Sequence, residues 1–420
     1  MREMKDSGIA WIGNIPSNWK LSKIKYMTTQ RECVGKYTPE KDKFIGLENV
    51  IGFADRYIET STEYETSIYD VCHKGDILFG RLRPYLAKIL TVPFDGYCTG
   101  EFLVFDSFNG CKNYLKYVLL SKPFIDEVNL STYGAKMPRA NADFILNMYL
   151  PLPQIVEQEK IVDFLDFKCS EIDAISADIQ KEIETLEQYK RSVITETVTK
   201  GLNPDVEMKD SGIEWVGNIP AHWDVQKNKR LFVEVNNKCL ATDNYTLLSV
   251  SEYYGVAPRN EKIKDGDFET RAESLNGYKI CHKGDIVMNI MLAWKKATAR
   301  TAYDGIVSPA YCVYRGKGIE TSYYHYVFRT NGCADYFGLH STGIIDSRLR
   351  LYTDAFFNLN SPVPPIDEQK NIATYLDSKC EEIESIIAIK KKQMETLSSY
   401  KKSLIYEYVT GKKEVPTYES

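Results

Sequence analysis

The chain has 420 residues, with 53 Lys and Arg against 58 Asp and Glu and 43% hydrophobic residues. That balance suits a globular protein of more than one domain and excludes a disordered tail. No apolar run reaches the ~18–20 residues a membrane helix needs. The start, Met1-Arg2-Glu3-Met4-Lys5-Asp6, has no apolar core of a secretory signal. Ten scattered cysteines without a CxxC fit a reduced, cytoplasmic setting.

In chain order, the first feature is a frame that recurs. Residues 4–19 read MKDSGIAWIGNIPSNW, and residues 208–223 read MKDSGIEWVGNIPAHW, identical at 12 of 16 positions. Residues 20–150 follow as short β-rich runs broken by Gly, Pro and Asp turns, among them Phe44-Ile45-Gly46-Leu47. Within them Cys72-His73-Lys74-Gly75-Asp76-Ile77 returns 209 residues later as Cys281-His282-Lys283-Gly284-Asp285-Ile286. Then comes a stretch, 157–200, without Gly or Pro, entered past Pro153 with Glu157 and Glu159 in the first turn. Ile161, Leu165, Ile172, Ile175, Ile179, Leu186, Tyr189 and Val193 recur at steps of three, four and seven, the seam of a long paired helix. Residues 224–361 form a second β-rich module. A second helix follows Pro364-Pro365, with its seam at Ile372, Leu376, Ile383, Ile386, Leu397, Tyr400 and Leu404. Gly201 and Gly411 end the two helices at matching places.

The chain is therefore an internal duplication. The expected fold is α+β: two mixed α/β modules separated by two long antiparallel helices, in a pseudo-twofold, circular arrangement. The expected divisions are 1–152, 153–203, 204–363 and 364–420. The net charge of −5 argues at first sight against a nucleic-acid binder. The acid, however, is concentrated in 151–207, with 6 basic and 13 acidic residues, while 20–150 holds 17 and 16 and 224–361 holds 18 and 15. The copies agree in their frames and differ between them, as Phe79-Gly80-Arg81-Leu82-Arg83-Pro84-Tyr85-Leu86-Ala87-Lys88 against Met288-Asn289-Ile290-Met291-Leu292-Ala293-Trp294-Lys295-Lys296-Ala297 shows. A fixed frame with variable contents suits two readers of two different targets, and duplex DNA offers such a target.

At this point the sequence resembles the specificity subunit of Type I restriction–modification systems. The resemblance spans the whole chain. It rests on the repeated KDSGI-x-W-x-GNIP-x-x-W, the KGDI turn, Arg81-Leu82-Arg83-Pro84-Tyr85, Lys136-Met137-Pro138-Arg139, Tyr303-Asp304-Gly305-Ile306-Val307-Ser308-Pro309-Ala310-Tyr311 and the P-x-P-x-x-x-EQ that opens each helix. It implies two target-recognition domains on double-stranded DNA with a bipartite, asymmetric site. It also implies two methyltransferase subunits on the helices and restriction/translocase subunits joining them. Catalysis would lie on those partners, with S-adenosylmethionine, ATP and Mg bound there and no cofactor, metal or catalytic residue in this chain. A coiled-coil protein adaptor that reads no DNA is the alternative.

The candidate DNA contacts follow from residue type. Arg81, Arg83, Tyr85 and Lys88 make a basic–aromatic cluster after a strand; Arg reads guanine in the major groove and Lys and Arg neutralise phosphates. Lys136 and Arg139 flank Met137-Pro138, and Arg348 and Arg350 hold the matching stretch. A residue kept in both copies suits phosphate better than a base, which singles out Arg139 and Arg350. Trp294, Lys295, Lys296 and Arg300, with Asn289, are the second module's counterparts; an ordinary solvated turn would carry the same residues. The Cys-His doublets cannot both ligate one ion from neighbouring strand positions. The PD…ExK letters at 204–209 lie in a linker, where carboxylates do not converge on a metal. Lys390-Lys391-Lys392 reads as a solvated helix face, and Trp11, Trp19, Trp215 and Trp223 as core anchors. No phosphate loop or methyl-donor signature is present.

Overall fold

The computed structural model describes residues 2–134, 136–240, 245–259, 275–345 and 348–416. It resolves into two compact units, Met1–Gln180 with Lys390–Ser420, and Lys181–Ile389. Both long helices are present, Ile155–Lys200 and Ile366–Val409, and the division falls inside each of them, so each unit contains part of both.

The first unit is built on an antiparallel four-stranded sheet ordered Ile89–Thr91, Ile77–Gly80, Phe102–Phe108, Thr28–Gln30. The central strand Ile77–Gly80 is apolar without alternation because it is covered on both faces. Ile77 and Phe79 enter the core shared with the helices, while Leu78 packs with Ile45, Cys72, Cys98 and Val104 toward a second sheet. The second unit repeats this with Phe232–Glu234, Tyr311–Gly316, Ile286–Asn289 and Thr298–Arg300. Ile286 and Met288 face the helix side and Val287 the other.

The KGDI turn is explained by Asp76 and Asp285. Each carboxylate accepts the amide N–H of its histidine three residues before, and Gly75 and Gly284 supply the positive φ the turn requires. Asp285 is also clamped by Arg315 at 2.8 and 2.9 Å, and Asp76 by Arg31 at 3.0 and 3.3 Å. Arg31 follows the edge strand Thr28–Gln30 and Arg315 lies on Tyr311–Gly316, so the two copies solve one problem by different routes.

The P-x-P-x-x-x-EQ signature also has a structural account. Glu157 accepts the indole N–H of Trp19 at 3.1 Å, and Glu368 that of Trp223 at 3.0 Å. Gln158 donates to the Pro153 carbonyl and accepts the Cys111 amide; Gln369 donates to the Pro364 carbonyl and accepts the Glu320 amide. The Glu thus ties the frame to the helix start, and the Gln ties the helix start to the short helix behind the sheet. Trp11, Trp19 and Trp223 are buried, while Trp215 is half-buried against Gly332.

The helix segments run antiparallel within each unit. In the first, Phe164 packs at a tilt on Tyr408 with ring centres 4.4 Å apart and Lys401 bonds Asp173 at 2.7 Å. In the second, Lys190 bonds Glu384, and Val198 shares a core with Ile372 and Leu376. The seam differs from the expected one in detail. Ile175, Tyr189, Ile386 and Tyr400 are exposed, and Cys169, Ile183, Cys380 and Ile387 take the buried places. Continuous three–four spacing through the two cysteines makes a better stripe than the aliphatic residues alone. No helix among the described residues is long and apolar enough to cross a membrane.

Candidate nucleic-acid interface

In each unit the strand after the KGDI turn ends at a tight surface turn. Residues 81–87 fold over the 3-10 segment Pro84–Leu86, and residues 290–296 over Ala293–Lys295. The two turns share their closing bonds and differ at one backbone position, where Arg83 is left-handed and Leu292 (φ −129°) is not. Gly80 N–H donates to the Lys88 carbonyl and Asn289 N–H to the Ala297 carbonyl. Ala87 (φ 45°) and Lys296 (φ 65°) are both left-handed, and Arg83 (φ 51°) is strained in the same way. Such strain is over-determined by neighbours: Phe53 N–H bonds the Ala87 carbonyl, and Arg83 N–H bonds the Pro138 carbonyl at 2.7 Å.

A second loop braces each turn. Tyr133 and Arg139 exchange backbone bonds, and Ala140 N–H reaches the Arg81 carbonyl. In the other unit Thr342 and Arg350 exchange backbone bonds, and Leu351 N–H reaches the Ile290 carbonyl. Arg139 and Arg350 therefore hold the same backbone position, and the second loop is two residues longer between its bonded ends.

The side chains sort into outward and inward sets. Tyr85 is 48% exposed, and Lys136, Lys295 and Arg348 are exposed. Arg81 and Arg83 are half-buried, with the Arg81 guanidinium on the Gly100 carbonyl at 2.6 Å. Trp294 is half-buried, its indole N–H on the Met291 carbonyl at 3.1 Å, and Lys295 lies over its ring at 4.8 Å. Arg139 is ion-paired with Glu101.

Four residues face inward. Lys88 donates to the Leu47 carbonyl, and burial pulls its ammonium pKa down. Asn289 is buried and accepts the Met291 amide, shaping the turn from beneath. Lys296 is half-buried, its pKa lowered by burial and by Arg191 and Arg329. Arg300 sits at the far end of the strand pair, opposite Ile286, with a buried Nε.

Residue type alone missed the apolar exposure around these cations. Tyr133 and Met137 are 60% and 59% exposed in one loop, and Ile344 and Ile345 are 100% and 53% exposed in the other. The available signal was apolar residues on either side of a Gly and before an Arg in a loop. The Cys72-His73 and Cys281-His282 doublets split, each cysteine buried and each histidine exposed beside an aspartate. Asp205 and Glu207 are exposed linker residues.

Residues 16–185 match the family described as the Type I restriction modification DNA specificity domain. The chain is 26% identical to the Type I restriction enzyme MjaVIII specificity subunit of Methanocaldococcus jannaschii, over 71% of this chain and 69% of that one. Its fold is similar to a chain solved in work on complex assembly and conformational transition of the type I R-M system, with TM-score 0.67 and 13% identity, covering 94% of this chain and 98% of that one. It is also similar to the HsdS subunit from Thermoanaerobacter tengcongensis, with TM-score 0.51 and 15% identity, covering 95% and 98%.

Proposed function

As a member of the specificity subunits of Type I restriction–modification systems, this chain, we propose, reads a bipartite and asymmetric site on double-stranded DNA, one half with each braced turn. The observation that carries this is the pair of turns closed by the same backbone bonds and carrying two sets of side chains. Position for position, Arg83 corresponds to Leu292, Tyr85 to Trp294 and Leu86 to Lys295. A common scaffold presents different chemistry, which is what reading two different base sequences requires. Arg139 and Arg350 share a backbone position and suit phosphate. A purely protein-binding adaptor leaves these matched but divergent turns without a purpose.

Catalysis belongs to partners in this reading. Two methyltransferase subunits dock on the long helices and carry S-adenosylmethionine. Restriction/translocase subunits add ATP- and magnesium-dependent work. The chain alone, at net charge −5, binds DNA weakly.

The test is reconstitution with the modification subunits, followed by mapping of methylated sites and salt-dependent binding. Arg83→Ala should relax one half-site and Trp294→Ala the other, each by about 1–3 kcal/mol of discrimination. Arg350→Ala should weaken all sequences alike and lower the salt slope by about 1. Methylation or cleavage by the isolated chain, or no sequence-specific binding by the complex, would overturn the reading.

A further inference from the structure

The second unit contains a cleft of about 710 Å³ behind its recognition turn, between the turn, the short helix Thr321–Val327 and the long helices. Its wall holds Arg191, Lys296, His325 and Arg329, with Tyr253 and Tyr254 at the side. Arg329 gives three of its five N–H hydrogens to the carbonyls of Lys296 at 3.0 Å, Glu252 at 2.8 Å and Ser251 at 3.4 Å, and among the described residues no carboxylate pairs with it. Burial alone pulls its pKa down. Lys296 makes no ion pair among the described residues either, with Glu252 and Asp335 acting on it only from a distance, and Arg300 leaves a buried Nε unbonded. The wall also carries three carboxylates and a fourth cation: Glu384 pairs with Lys190, Glu187 with Arg191 at 3.7 Å, and Glu252 bonds Tyr253, which leaves Lys296 and Arg329 without an ion pair. Half-buried charge without an ion pair is costly, so Lys296 and Arg329 together call for an anion.

The duplication supplies an internal control. The position of His325 is held in the first unit by Lys116, which lies between Asp55 at 3.2 Å and Asp166 at 3.5 Å. The position of Arg191 is held by Lys402, whose ammonium rests over Phe53 at 4.3 Å. The corresponding cleft there is about 180 Å³. The first copy neutralises and fills this place with its own side chains; the second leaves it open and positive.

We propose that the cleft of the second unit binds a phosphate-bearing anion, received by Arg191, Lys296 and Arg329. Lys296 and Arg329, with Arg191 close enough to act on Lys296, suit the charge and multiple acceptors of a phosphoryl group. The volume falls in the range of nucleotide-sized ligands, and the two tyrosines offer ring faces beside it. Lys296 is the last residue of the recognition turn, so an occupant touches the element that reads the second half-site. The phosphate could come from a free nucleotide or from the DNA backbone, and the probes separate these.

The full chain is titrated calorimetrically at low salt with pyrophosphate, ADP and a short duplex. Saturable pyrophosphate binding is expected, weakened about tenfold by Arg191→Gln and by Lys296→Gln. Arg191 is on the helix surface, so its variant keeps the fold, which an unchanged melting midpoint verifies. Lys402→Gln, in the first unit, should leave binding unchanged. Tighter ADP binding identifies a nucleotide; displacement of pyrophosphate by duplex identifies backbone phosphate. No saturable binding of any probe, or equal binding by wild type and both glutamine variants, overturns the proposal. Pyrophosphate carries no sequence, so this result is independent of whether the turns read bases.

Discussion

At the scale of single residues, His325 shows how the cationic cleft enters stability. Its Nδ1 accepts the Arg300 amide at 3.2 Å, and burial together with Arg329 and Arg300 holds its pKa near 3 against an ordinary 6.5. The native state refuses a proton that the unfolded chain accepts below pH 6.5. Stability is therefore complete above that value and falls as the pH drops from 6.5 toward 3, by up to about 1.4 kcal/mol per pH unit. His325→Gln should flatten this segment of the curve. Urea midpoints at pH 7 and pH 4.5 decide it: an equal acid loss in variant and wild type would place the effect on other groups. The same residue-by-residue comparison of the copies exposes what each has specialised. Ala87 and Lys296 share a left-handed backbone, yet one is a buried methyl and the other a half-buried ammonium.

Among elements, the helix ends carry the tightest constraint. Gly411 has φ +69°, and a Cβ there would lie 2.5 Å from Pro16 and 2.9 Å from Trp19. Gly212 has φ +67° but open space around it. Gly212→Ala should cost about 1 kcal/mol from backbone strain alone, and Gly411→Ala about 3 kcal/mol or more. Equal urea midpoints for the two variants would show that Trp19 yields easily. The glycines, the proline entries and the helices themselves were legible because each rests on local backbone chemistry. The exposure of Ile175 and Tyr189 was not, because one stripe among several near-equal ones is chosen by what packs on it, and Cys169 and Cys380 complete the stripe that is. For the candidate interface the turns were legible and the side-chain directions were not. Lys88 and Arg300 look like surface cations in sequence, but their burial depends on the Leu47 carbonyl and on the short helix behind them, partners distant in the chain.

For the whole molecule, the two recognition modules have separate cores, each closed by helix segments from both copies. The duplicated frames repeat one junction. Gly201 lies on Trp223 and leads through 202–207 into the second frame, while Gly411 lies on Trp19 of the first. The unit Lys181–Ile389 is one continuous stretch of chain, but the other joins Met1–Gln180 to Lys390–Ser420. During synthesis this inverts the order of completion. The module made second can close at once, and the module made first must wait for the final stretch. At roughly 5–20 residues per second, the face of Ile161, Leu165 and Ile172 stays without Leu404, Ile405 and Tyr408 for some tens of seconds. A ribosome-bound chain stalled after residue 389, behind a linker that clears the tunnel, should resist protease in 275–339 and be cut within 155–180. Supplying the remaining residues should remove those cuts; equal protection in both stretches before then would show that the first module needs no late partner. The interval is a window in which a chaperone, or a partner subunit arriving early, has an apolar helix face to hold.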